Sequence, residues 1–398
     1  MLMTKRRGLL LVIFVGLGLR ILLNTAVESF DFYAFVMWAK YLSTHSISDV
    51  FEFLPEGYTP YPPLYYYLLM VLGHLISLLN MWDNTWFTYL IIRTPVFLAD
   101  VGVCLLIYNL TKKYVSPQAA IPASLFYFLH PVIIYNTSVW GQIDSVVTFL
   151  GLFCIAFFIG QHRFKAMFIY TLGVLTKLQI LALLPIVGFL SLVSGSWRKL
   201  LLYMFILVPV IAAPFVPIVL SKGFTWTWDY FFTIPNWYAY TSVYTYNLWA
   251  PFGFIVSDNT KLFNLIEYKY IGILLFWFVA LLILQPLFSK KNRFAQALLF
   301  AAFLLWYDFS FFATRIHSRY LIYSFGFFAP FITRFPLIGL LLSLLMTANL
   351  LLPLQVDVLR PVTELLNKPP VIILFVLFAF GLFILSFSRY RKLINHHA

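Results

Sequence analysis

The chain has 398 residues, 62% hydrophobic and 10% charged, with a mean hydropathy of +0.89. That composition excludes a mainly soluble protein, because apolar runs long enough to cross a bilayer recur along the whole length. The formal net charge of +13, from 27 Lys and Arg against 14 Asp and Glu, fits cytoplasmic-loop bias; no arginine-rich arm or nucleic-acid fold signature makes it a nucleic-acid footprint.

Lys5-Arg6-Arg7 precedes an apolar run from Gly8 to Leu23 with no convincing small-x-small cleavage site. This predicts an uncleaved first helix. Further apolar runs follow at about 64–80, 87–109, 118–136, 145–160, 165–193, 200–221, 269–288, 294–312, 319–333, 335–352 and 370–388. The run 165–193 is too long for one simple span and carries Lys177 and Gln179 near its centre. Two short helices meeting at a polar turn fit it better than one helix with a lysine in lipid. Cys104 and Cys154 lie within apolar runs, with no Cys or His at metal-ligand spacing, and read as small hydrophobes. The chain thus predicts an all-α polytopic membrane protein with roughly 11–13 transmembrane or re-entrant helices. No internal repeat is evident, and residues 1–398 read as a single domain.

The positive-inside rule orients the chain. With Lys5-Arg6-Arg7 in the cytoplasm and 64–80 re-entrant, the pairs Lys112-Lys113, Arg198-Lys199 and Lys290-Lys291 fall inside, as do Arg163, Lys165, Arg293, Arg334, Arg389, Arg391 and Lys392. Asp31, Asp144, Lys177 and the segment Arg315 to Arg319 fall outside. So do the two large loops, 25–63 and 222–268, and loops of that length are usually functional. Phe32 to Leu42 predicts a helix on the membrane surface. The aromatics of 224–249, Trp226, Trp228, Tyr230 and Trp237 among them, read first as an interfacial belt and second as a sugar-stacking platform.

The polar residues cluster at the ends of apolar runs, where ionisable groups are retained mainly for a cavity or for chemistry. Asp31 follows the first helix among Phe30, Phe32, Tyr33 and Phe35; such a setting desolvates a carboxylate and strengthens it as a base. Tyr61-Pro62-Pro63 opens an apolar helix, an ordinary place for proline. Asp144 of Trp140-Gly141-Gln142-Ile143-Asp144-Ser145 reads as a helix cap or a cavity residue, while Trp140 and Gln142 offer an indole N–H and an amide suited to sugar hydroxyls. Lys177, mid-run, calls for a partner such as phosphate. Arg93 and Asp100 read as a structural ion pair or caps. Arg315, His317, Arg319 and Tyr320 form a cationic cluster, and Arg binds phosphate bidentately. No nucleotide-binding motif is present, and the first-loop carboxylates are too sparse to imply a metal cage.

In this order the motifs resemble those of the GT-C superfamily of integral-membrane glycosyltransferases, in particular the prokaryotic mannosyltransferases related to the second mannosyltransferase of GPI-anchor synthesis. The matching positions are Asp31, Tyr61-Pro62-Pro63, Trp140 to Ser145, Lys177-Leu178-Gln179, Asn247-Leu248-Trp249 and His317-Ser318-Arg319-Tyr320. Ser318 stands where that branch often has Glu, and Phe32 follows Asp31 where a second acid is common, so the base assignment rests on Asp31 alone. The resemblance implies inverting transfer of a hexose, mannose first, from a polyprenyl-phosphate donor to a lipid-linked or cell-surface glycan. The sequence implies no cofactor, with a divalent metal possible but not called for, and the topology puts the active site on the non-cytoplasmic face, of a prokaryotic plasma membrane first and of the ER second. Asp31 would be the general base. Arg319, with Lys177 and His317, would hold phosphate; Tyr61, Trp140, Gln142, Asp144, Gln179, Asn247 and Tyr320 would bind donor or acceptor. The alternative is a flippase or transporter of lipid-linked glycans, which has no need of Asp31 and tends to show inverted repeats. A glycan polymerase or ligase using diphosphate-linked donors shares the mechanism and differs in donor.

Overall fold

Prolines and buried polar residues cut the apolar runs into shorter pieces than hydropathy alone implies. The computed structural model describes residues 2–26, 29–53, 61–193, 195–354 and 357–396, so Glu28, Glu56 and Pro60 of the first loop lie outside the described residues. Helix dominates the described chain. Two short strand pairs accompany it: Ser242–Val243 lies parallel to Ile316–His317, and Lys261–Leu262 antiparallel to Ile266–Glu267. Among the described residues, five helices are long and apolar enough to cross a bilayer: Thr85–Tyr114, Trp197–Lys222, Tyr268–Phe288, Ala295–Phe312 and Pro369–Asn395. The protein is an all-α, membrane-embedded chain.

Other apolar runs are interrupted. The run 118–136 becomes Ala120–Phe128, then Pro131–Ile134, then a π-helical turn Tyr135–Val139, because Pro131 cannot continue the preceding helix. Pro63–Leu78 has 16 residues, about 24 Å at 1.5 Å per residue and short of the roughly 30 Å hydrocarbon core.

The chain forms two compact units: Met1–Leu106 with Phe128–Trp237, and Ile107–Tyr127 with Tyr238–Ala398. In the first unit the helix Phe30–Leu42 buries Phe32, Phe35, Trp38, Ala39 and Leu42, a stripe at three- and four-residue spacing. It packs on Tyr65, Tyr66, Leu69, Gly73 and Ile76 of Pro63–Leu78. Gly73 is required at the crossing, because a Cβ there would collide with the carbonyl oxygen of Ala39. Phe51 takes Tyr230 and Phe231 of the helix Phe224–Thr233 edge-on, while Phe224, Trp228 and Phe232 stack along its exposed face.

Beneath these helices Arg20 of Leu2–Leu22 is fully buried. It donates to Asp100 at 2.8 Å and to the carbonyls of Gly16 and Phe128 at 3.0 Å each. Asp100 is therefore the partner of Arg20 and not of Arg93. Arg93 instead lays its guanidinium 3.7 Å from the centre of the Phe32 ring and donates to the carbonyl of Asn24.

The second unit is organised on Ala295–Phe312, of which 83% is buried. Trp306 stacks on Tyr323, the Tyr307 hydroxyl donates to the carbonyl of Ala379, and Phe300 sits among Phe331, Phe335 and Tyr390.

Candidate functional site

The first unit gathers five of the residues singled out by sequence into one polar chain. Asp31 lies in the first turn of Phe30–Leu42, whose N-cap is Ser29. The Ser29 hydroxyl accepts from the Phe32 N–H at 3.1 Å and donates to the Trp140 carbonyl at 2.5 Å. One hydroxyl thus starts the helix and ties it to the loop 140–143. Gly141 has φ +75°, and a Cβ on it would stand 2.5 Å from the Phe32 ring. Both the conformation and the space demand glycine.

This seating aims two N–H donors at one oxygen. Trp140 Nε1 lies 2.9 Å, and Gln142 Nε2 2.6 Å, from Oδ2 of Asp31. Trp140 ends the π-helical turn, and the backbone N–H of Gln142 donates back to the Asn136 carbonyl at 3.0 Å. Wide turns of this kind recur at functional sites.

The other end of Gln142 faces Lys177, whose Nζ is 3.5 Å from Oε1 and 2.5 Å from Oδ1 of Asp144. Asp144 opens the helix Asp144–Ile159, and its second oxygen accepts from Asn136 Nδ2 at 3.3 Å. Gln142, Asp144 and Lys177 are all buried, while Asp31 and Trp140 are half-buried. Lys177 reaches this position because the run 165–193 breaks there: Arg163–Thr176 ends, Lys177 is extended at φ −159°, and a 3-10 turn Leu178–Leu183 follows. Its buried cation has a carboxylate partner, so a phosphate is not needed to neutralise it. Tyr61, with its ring centre 5.6 Å from Lys177 Nζ, borders the site. Gln179 lies in the 3-10 turn, half-buried.

The remaining candidates belong to the second unit. Asn247 is buried with both ends of its amide on backbone: Nδ2 donates to the Thr241 carbonyl at 3.2 Å and Oδ1 accepts from the Trp249 N–H at 3.1 Å. The Trp249 indole donates to the carbonyl of Phe312 at 2.9 Å. This motif holds its own loop together. Arg315, at φ +65°, pairs with buried Asp258 at 2.7 Å. His317 lies on the short strand with Nδ1 3.2 Å from the Ser318 hydroxyl; Arg319 is buried and precedes the turn of Tyr320.

Two residues went unremarked in the sequence. Asn136 bridges Gln142 and Asp144; its signal is the polar triplet Asn136-Thr137-Ser138 closing an apolar run. Asp308 is fully buried in Ala295–Phe312, and neither carboxylate oxygen has a hydrogen-bond partner among the described residues. An ionisable group so placed is a functional candidate by default. The chain matches no family model and no curated protein.

Proposed function

We propose that the chain is an inverting integral-membrane glycosyltransferase of the GT-C type. It would move a hexose, mannose first, from a polyprenyl-phosphate donor to a lipid-linked or cell-surface glycan. The observation that carries this reading is the held carboxylate: Oδ2 of half-buried Asp31 receives two N–H donors from a separate loop. An inverting transferase needs one base at a defined angle to an acceptor hydroxyl, and a carboxylate pinned on one oxygen meets that need. The acceptor O–H gives its proton to Asp31. The acceptor oxygen forms the new bond to the anomeric carbon, and the bond to the donor phosphate breaks with its electron pair leaving on the polyprenyl phosphate. That leaving group departs without protonation, so a second carboxyl is not required.

Trp140 and Gln142 act as orienting groups, and the Asp144–Lys177 pair supports Gln142 from behind. Arg319, His317 and Tyr320 carry their proposed donor-binding roles from the sequence motif alone. The test is transfer from a panel of radiolabelled polyprenyl-phosphate sugars by purified wild type and Asp31→Asn. One donor is expected to be turned over, and Asp31→Asn to lose about 10²–10⁴-fold in turnover while still binding it. If no donor reacts, and lipid-linked glycan crosses liposome membranes equally in both proteins, the chain is a flippase and the transferase reading fails.

A further inference from the structure

Charge in the second unit is segregated along its helices. Asp258 and Glu267 precede the N-terminus of Tyr268–Leu284, and Asp357 and Glu364 precede that of Pro369–Asn395. At this end cations meet acids: Lys269 pairs with Glu267, Arg315 with Asp258, and Arg360 with Glu364.

The other end differs. Arg391, in the last turns of Pro369–Asn395, donates to Gln285 at the C-terminus of Tyr268–Leu284 at 2.7 Å. Gln296, in the first turn of Ala295–Phe312, donates to the Tyr114 carbonyl at 2.6 Å and accepts from Arg334 at 3.3 Å. Tyr390 stacks on Phe300 and donates to the Ile283 carbonyl, so with these bonds five helix ends come together. The same ends carry Lys112 and Lys113, then Lys290 and Lys291, then Arg389 and Lys392, all exposed. Between residues 107–120, 285–298, 329–338 and 385–396 there is no Asp or Glu at all. The 17-residue helix Tyr268–Leu284 separates this end from Glu267 by about 25 Å, well beyond a Debye length in physiological salt.

We infer that this collar is a binding surface for the headgroups of anionic phospholipids. Topology alone asks only for cations on one side; it does not ask that a cluster drawn from five helices exclude every carboxylate. Like charges held together without counter-charge repel, and a mobile anion at the same depth relieves that repulsion. The anion must sit at the membrane boundary, because the collar continues into exposed apolar surface at Phe288, Leu337 and Leu340. A phospholipid supplies both parts, with its phosphate on the collar and its chains on the apolar stems.

The test uses full-length protein taken from mixed micelles of phosphatidylglycerol and phosphatidylcholine, with the lipids that stay bound counted by native mass spectrometry. Wild type is expected to retain phosphatidylglycerol preferentially. The triple variant Lys290→Ser, Lys291→Ser, Arg391→Gln is expected to lose roughly fivefold in that preference per cation removed. The charge-keeping Lys290→Arg, Lys291→Arg, Arg391→Lys should hold it. A control triple at the opposite end, Lys261→Ser, Arg360→Gln, Lys368→Ser, removes the same charge and should leave it unchanged. Absence of preference in wild type, or equal loss in both neutralised triples, overturns the inference and reduces the collar to a topological signal.

Discussion

The side-chain amide of Gln142 has two unlike ends, and its neighbours decide which way it points. Turned as it is, its N–H₂ meets the Asp31 carboxylate and its oxygen meets the Lys177 ammonium. Reversed, oxygen would face oxygen and N–H₂ would face a cation, so both contacts would become repulsive. Lys177 therefore acts on Asp31 through Gln142. Removing one partner of a buried ion pair is costly, and Lys177→Met is expected to destabilise the protein by about 3–5 kcal/mol. Combining it with Asp144→Leu should recover most of that loss, because the stranded charge is gone; unfolding in detergent would measure both. Kinetics separate the two roles open to this lysine. Acting through Gln142, Lys177→Met lowers kcat and leaves the donor KM nearly unchanged. A lysine that gripped the donor phosphate would raise KM instead.

At the scale of the element, the loop from Tyr135 to Asp144 does most to shape the site. Phe32 meets both the Arg93 guanidinium and the bare backbone of Gly141, and Asp31 is its chain neighbour. Gly141→Ala is expected to cost roughly 1–3 kcal/mol in backbone strain. It should lower turnover further than that loss explains, since Phe32 must move and carries the carboxylate with it; comparing thermal stability with kcat would show the excess. Some of this local architecture was legible beforehand. A lysine and a glutamine in the middle of a 29-residue apolar stretch cannot lie in lipid, so the break at Lys177 followed from desolvation cost alone. The helix Phe30–Leu42 was equally readable from its mixed pattern. The partnerships were not. Asp144 finds Lys177 33 positions away, and Arg20 finds Asp100 80 positions away. Local periodicity carries no information about which distant carboxylate will meet which cation, so the sequence reads Asp100 as an ion-pair member or a cap without naming its partner. The Asn247 motif stands out in the sequence only by its resemblance, and nothing local shows that Asn247 and Trp249 bond to backbone groups.

Across the whole molecule, hydropathy identified a membrane protein but could not grade its helices. Two of the five helices of crossing length have opposite surroundings: 11% of an 18-residue apolar stretch of Trp197–Lys222 is buried within the protein, against 83% of the 18 residues of Ala295–Phe312. Mean hydropathy ranks them the wrong way for burial, at 2.4 and 1.5. Lipid and protein core are similarly apolar, so hydropathy alone does not separate a helix exposed on the outside from one buried in the core. The same substitution should therefore have different consequences in the two. Phe205 is 76% exposed on Trp197–Lys222, whereas Phe303 is fully buried against Phe300, Tyr307 and Phe328. Phe303→Ala is expected to cost about 3–5 kcal/mol, through lost contacts and the cavity left behind. Phe205→Ala should stay within about 0.5 kcal/mol, as a surface substitution does, because lipid chains fill the space. Phe205→Arg would reverse that tolerance, adding roughly 2.5–3.5 kcal/mol to the insertion of its helix. Unfolding of the two alanine variants in one bilayer system, with glycosylation mapping of the arginine variant, would check all three. Similar losses for the two alanine variants would mean that Trp197–Lys222 is packed against protein and does not face lipid.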